Sequence, residues 1–109
     1  MPKNHEYYVY IVTNSGKNVF YTGVTNNLSR RLIEHWENRG GKSTFAGRYY
    51  CYYLIFYEKY KYISNAISRE KEIKGWRREK KLTLVKTMNP DLSFLNAAVC
   101  GGWPPGKIR

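Results

Sequence analysis

Tyr10 and Tyr21 stand eleven residues apart, and Gly23, Arg31, His35 and, much later, Glu70 follow them. A phenol, a guanidinium, an imidazole and a carboxylate are groups that work on a phosphodiester requires. One takes a proton, one grips the phosphate and one holds a metal ion. With eleven tyrosines in the chain, no single tyrosine carries much weight. The weight lies in whether the surrounding elements bring the six positions together.

Residues 7–12 are aromatic and β-branched, a strand pattern, and residues 19–24 read as a second strand. Between them Thr13-Asn-Ser-Gly-Lys-Asn18 has turn chemistry, with Gly16 free to take a positive φ. Tyr8, Tyr10 and Val12 share a face of the first strand, Val19, Tyr21 and Gly23 share a face of the second, and the hairpin can put both sets on the same side of the sheet. Pairing can set Tyr10 beside Tyr21. Gly23, with no side chain, leaves a hollow there for a ligand. Thr25-Asn26-Asn27 then caps a helix in which Leu28, Leu32, Ile33 and Trp36 recur at helical spacing, with Leu28, Leu32 and Trp36 as the buried stripe, ending by Gly40-Gly41. Arg31 and His35, four residues apart, leave that helix in the same direction beside the hairpin.

Residues 42–48 read as a polar, basic loop, and residues 49–57 as a third strand, apolar on both faces and hence covered on both. Tyr49, Tyr50, Tyr52 and Tyr53 offer a base-stacking surface, but so dense an apolar strand is read as core. A second helix spans 62–76, with Ile63, Ala66, Ile67 and Ile73 on one stripe. Glu70 interrupts that stripe. An inward carboxylate needs an ion-pair partner, for which Arg31 is available, or a bound cation. A site with few protein ligands suits Mg²⁺, which keeps its waters and takes phosphate oxygens. Residues 77–87 form a further helix that Asn89-Pro90 stops. The order β-β-α-β-α-α indicates an α/β (α+β) domain with helices on a mainly antiparallel sheet.

Nineteen Lys and Arg against eight Asp and Glu give a net charge of +11 on 109 residues, a field that draws polyanions. Lys74, Arg77, Arg78 and Lys81 fall on one helical face. With Lys71 and Arg30 they make a surface suited to tracking a nucleic-acid backbone. Cys51 and Cys100 have no zinc spacing and read as reduced thiols. No apolar run approaches the ~18 residues of a membrane span, and the first residues lack a secretory pattern, so a cytoplasmic location is expected. The length fits one domain, taken as 1–95, with a flexible Gly/Pro-rich tail over 96–109.

Together these residues resemble the GIY-YIG nuclease family, and look closest to its short stand-alone members. Tyr8-Val9-Tyr10 stands where that family has Gly-Ile-Tyr, and Tyr21-Thr22-Gly23 where it has Tyr-Ile-Gly. The segment 24–35 is similar to its helix, with Arg31 and His35 at matching spacing. The segment 66–74 resembles the one that carries its metal-binding Glu, here Glu70. The resemblance covers about residues 7–90, and its combined spacing is specific. It departs at Tyr8 and Thr22, neither of which supplies chemistry.

The resemblance implies a three-stranded antiparallel sheet flanked by helices. It also implies hydrolysis of DNA phosphodiesters, in a setting such as repair or recombination, with one Mg²⁺ or Mn²⁺ on Glu70. Arg31 would neutralise charge, Tyr10 would act as general base, and Tyr21 and His35 would assist. A free phenol near pKa ~10 is about one part in a thousand ionised at neutral pH, so Tyr10 would need positive charge beside it. The family Asn falls on Asn89 or Asn96. DNA is the expected partner, with a targeting protein a further possibility. The competing class is a nucleic-acid-binding module that keeps the fold without cleavage, and the substrate's structure and the oligomeric state stay open.

Overall fold

The computed structural model describes residues 6–107. Strands β1 (Tyr7–Thr13), β2 (Phe20–Thr25) and β3 (Tyr53–Tyr60) form one antiparallel sheet in the order β2-β1-β3. The central strand is therefore β1. Its Val9 to Thr13 are fully buried, and alternate side chains feed two cores. Val9 and Ile11 pack with Ala66, Ile73 and Val85 of α3 (Ile63–Lys74) and α4 (Arg78–Met88). Tyr10 and Val12 pack with Leu28 and Leu32 of α1 (Leu28–Glu37) and Ala46 of α2 (Phe45–Arg48). The expected element order and the flanked three-stranded sheet are present.

Several boundaries differ from the sequence reading, each for a local reason. β3 lies at the sheet edge and starts at Tyr53, not at 49. Helix α2 ends at Arg48, residues 49–52 turn the chain from it into β3, and Tyr50 sits at φ +58°. The Cys51 amide closes that turn on the Ala46 carbonyl at 2.9 Å. The loop expected over 42–48 is thus partly helical. In the hairpin turn the positive φ falls on Lys17 rather than Gly16. Gly75 ends α3, its amide shared between the Lys71 and Glu72 carbonyls.

The stripe on α3 is narrower than its sequence pattern. Ala66 and Ile73 are buried, but Ile63 and Ile67 are exposed. The inward flank is polar: Arg69 grips Glu58 of β3 with two hydrogen bonds, at 3.0 and 3.1 Å. Parts of the segment expected as a flexible tail make contacts with the domain. Helix α5 (Asn96–Cys100) starts with a buried Asn96 that accepts from the Leu54 amide and donates to the Tyr52 carbonyl. The Trp103 ring packs edge-on against Trp36. Residues 108 and 109 of the expected tail lie outside the described residues.

Candidate active site

The hairpin register places Tyr10 opposite Gly23 and Val12 opposite Tyr21. Tyr10 and Tyr21 therefore share a face, with ring centroids 6.5 Å apart. The hollow at Gly23 is not open to a ligand: the Tyr10 ring fills it. A Cβ built on Gly23 would lie 2.5 Å from the Tyr10 hydroxyl and 2.6 Å from its Cζ. Gly23 is bare so that a tyrosine can cross it.

Helix α1 supplies the next two groups. Asn27 caps it, its side chain accepting from the Arg30 amide. One turn separates Arg31 from His35. His35 Nε2 and the Tyr10 hydroxyl share a hydrogen bond at 2.8 Å, and the imidazole meets the Tyr21 ring edge-on at 5.6 Å. Arg31 donates from Nε to Glu34 at 3.0 Å, so its ion-pair partner is on its own helix, not Glu70. Tyr21, Arg31, Glu34, His35, Asn38, Thr44, Phe45 and Ala46 line a cleft of about 240 Å³. Tyr10 is fully buried against two of these lining residues, Tyr21 and His35.

Burial sets the protonation states here. It raises the Tyr10 phenol well above its usual range, and the neighbouring Arg31 offsets only part of this. Burial also lowers His35 to about 4, with Arg31 adding to the effect. At neutral pH the pair is a phenol and a neutral imidazole. The His35 shift carries a stability prediction. Between pH 6.5 and about 4 the unfolded chain binds a proton on His35 that the folded chain does not. Stability is thus fully present above pH 6.5 and is lost as pH falls toward 4, by on the order of 2–3 kcal/mol from this group. Urea titrations of wild type and His35→Gln across that range should differ in pH slope. Equal slopes would show that His35 is not the group responsible.

Glu70 stands on α3, which packs on the opposite core from Tyr10 and Tyr21. Its side chain is 12% exposed, and its Oε2 pairs with Lys74 Nζ at 2.6 Å. The same ammonium lies 5.7 Å from the Tyr21 ring centroid, so Lys74 bridges the carboxylate to the cleft. Among the described residues no three His, Cys, Asp or Glu side chains gather as a metal cage. A nearly buried carboxylate whose described partner is a single half-exposed lysine fits an ion that takes one protein oxygen and fills its shell with water and phosphate.

The other sequence candidates divide. Tyr8 and Val9 belong to β1. The Thr22 hydroxyl is buried without a hydrogen-bond partner among the described residues, at the position where the family pattern has Ile. Lys71 and Arg77 are exposed on α3 and at the start of α4. Arg30 is exposed too, and donates to Asn26. The break at Gly75 prevents a continuous basic helix face. Lys74 and Lys81 nevertheless come close enough for Lys74 to help burial lower the Lys81 pKa. Arg78 is occupied, donating to the Asn18 and Lys17 carbonyls at 2.6 and 3.0 Å. Asn89 and Asn96 are both buried in backbone-holding roles beside β3, outside the cleft lining.

Sequence reasoning missed Phe45. It is 49% exposed, yet stacks on Tyr21 at 6.3 Å with 25° between the rings. Its position depends on loop closure: the Gly40 amide bonds to the Gly47 carbonyl, and a Cβ on Gly47 would lie 2.7 Å from the Asn38 carbonyl oxygen. The glycines at 40, 41 and 47 were the available signal.

Comparison with known proteins gives the family. Residues 6–83 match the GIY-YIG catalytic domain. A UPF0213 protein of Haloquadratum walsbyi is 42% identical over 83 residues, covering 76% of this chain and 90% of that protein. A UPF0213 protein of Staphylococcus aureus is 38% identical over 80 residues, covering 73% and 94%. The solution structure of a UPF0213 protein from Bacillus halodurans superposes with a TM-score of 0.51 at 30% identity, covering 79% of this chain and 88% of that one. The chain belongs to the GIY-YIG nuclease family, among its short UPF0213 members.

Proposed function

We propose that this protein is a metal-dependent endonuclease that hydrolyses DNA phosphodiesters. The observation that carries the reading is the cleft in which Arg31, His35 and Tyr21 converge over the Tyr10–His35 hydrogen bond, with Glu70 tied to Tyr21 through Lys74. Glu70 would hold Mg²⁺ or Mn²⁺, and the bound ion would polarise the phosphate and stabilise the leaving oxygen.

The protein's own groups do the rest. Arg31, fixed by Glu34, offers guanidinium donors to the phosphate and meets the charge that develops on it. Tyr10 does not act as a resting phenolate, because burial opposes one. Its hydroxyl instead accepts from His35 Nε2–H, which leaves Nδ1 of the cleft-lining imidazole free to take a proton from the attacking water. The net result is hydroxide on phosphorus and an imidazolium, with Tyr10 a phenol before and after. Tyr21 packs against both rings and keeps the pair in line.

The test is a cleavage screen over supercoiled, nicked, flap and junction DNA, the structures met in repair and recombination, with Mg²⁺ or Mn²⁺ and Arg31→Ala beside wild type. Wild-type cleavage of at least one substrate is expected, falling roughly 10²- to 10³-fold in Arg31→Ala. Salt-sensitive binding without cleavage of any substrate would instead identify a binding module.

A further inference from the structure

Phe45 divides two clefts. One is the candidate active site. The other, about 250 Å³, is lined by Asn18, Val19, Phe20, Phe45, Arg78 and Lys81. Nothing in the proposed chemistry uses it. Below the ~300–1,000 Å³ of pockets for drug-sized ligands, it suits a single heterocycle. Its lining is rich in planar groups: the Phe45 ring, and Phe20 with the Arg78 guanidinium 4.7 Å from its ring centroid. The carbonyls of Lys17 and Asn18 hold that guanidinium, so it serves as a fixed flat wall rather than a phosphate grip. Lys81 lines the same cleft with Lys74 nearby, which makes the cleft positive.

Phe45 and its neighbour Tyr49 are 49% and 44% exposed, with rings 4.8 Å apart. Half-exposed aromatic rings gain little from folding. These are held by a closed loop that includes Tyr50 at φ +58°, a conformation a bulky residue seldom adopts. A rigid, exposed aromatic ring stacked on an active-site tyrosine and flanked by lysines has the chemistry that recognises an unstacked nucleobase on an anionic backbone.

We propose that this cleft is a nucleobase subsite. It receives one unpaired base of the substrate strand next to the phosphate being cut, stacked on Phe45, with Lys81 and Lys74 on the adjoining phosphate. The proposal rests on the nuclease reading and adds a substrate feature to it: an unpaired nucleotide beside the cleavage point. Duplex DNA, whose bases stay stacked, cannot use the subsite.

The experiment measures binding without divalent ions, so that catalysis plays no part. Fluorescence anisotropy would compare a 12-nucleotide single strand with the same sequence as duplex, for wild type, Phe45→Ala and Phe45→Trp. Phe45→Ala should weaken single-strand binding roughly ten-fold and leave duplex binding within about two-fold. Phe45→Trp should restore it. A 2-aminopurine placed along the strand should be quenched at one position in wild type and lose that quenching in Phe45→Ala. If wild type binds both DNAs but Phe45→Ala weakens neither, or weakens both equally, the subsite is refuted and the nuclease reading stands. If wild type binds neither, both fail.

Discussion

Gly23→Ala is expected to destabilise the protein by about 2–4 kcal/mol and to abolish the Tyr10–His35 contact. The new methyl would lie within 2.9 Å of three Tyr10 side-chain atoms, including the hydroxyl that meets His35. Tyr10 is fully buried, with Tyr21 and His35 packed against its ring, so it has no free direction in which to yield. Strained backbone is not the cause, since Gly23 is not among the residues with positive φ. The cause is space, which a double-mutant cycle tests directly. In a Tyr10→Leu background the obstructing atoms are gone, and Gly23→Ala should cost less than about 1 kcal/mol. The same cost in both backgrounds, measured by urea unfolding, would show that Gly23 serves the strand and not the tyrosine.

That packing shows where sequence legibility ends. The period-2 pattern of the hairpin and the four-residue spacing of Arg31 and His35 are local, and they correctly indicate which side chains share a face. That Gly23 is bare can be read from the sequence, but the occupant of the space depends on pairing register. The register sets Gly23 opposite Tyr10, turning an expected ligand hollow into a packed contact. Glu70 stands out because it interrupts an apolar stripe. Its partner was legible too, although Arg31 was the one expected: Lys74 stands four residues on along the same helix, a local pair, while Arg31 pairs with Glu34 on its own helix. Tyr49 and Tyr50 follow the pattern of a strand but are exposed, because the four residues before them close into a helical turn held by glycines. Non-local backbone closure overrode a strong local propensity there. Asn96 is the reverse case. It sits in a segment with no apolar periodicity, yet its one amide side chain satisfies two backbone groups, of Leu54 and Tyr52, and so docks α5 beside β3.

Glu70→Gln should separate chemistry from fold more cleanly than any other substitution in the site. The amide keeps the shape of the carboxylate and removes its charge. The Lys74 pair it breaks is half-exposed on the lysine side, so stability should change by less than about 1 kcal/mol. DNA binding without divalent ions should hold or strengthen slightly, because Lys74 is released toward phosphate. Cleavage should fall 10³-fold or more in single-turnover assays with Mg²⁺ or Mn²⁺, since several kcal/mol of charge stabilisation depend on a carboxylate that can hold the ion. These three readouts move apart only if Glu70 acts in the reaction. If its purpose were to anchor α3, stability would fall along with activity. If it only tuned DNA affinity, binding would change and the rate at saturating DNA would not. Undiminished cleavage by Glu70→Gln would mean that the activity comes from a contaminant or from a different centre. Arg31 and the Tyr10–His35 pair cannot fill that gap: they hold phosphate and move a proton, but they offer no anionic oxygen for a divalent ion.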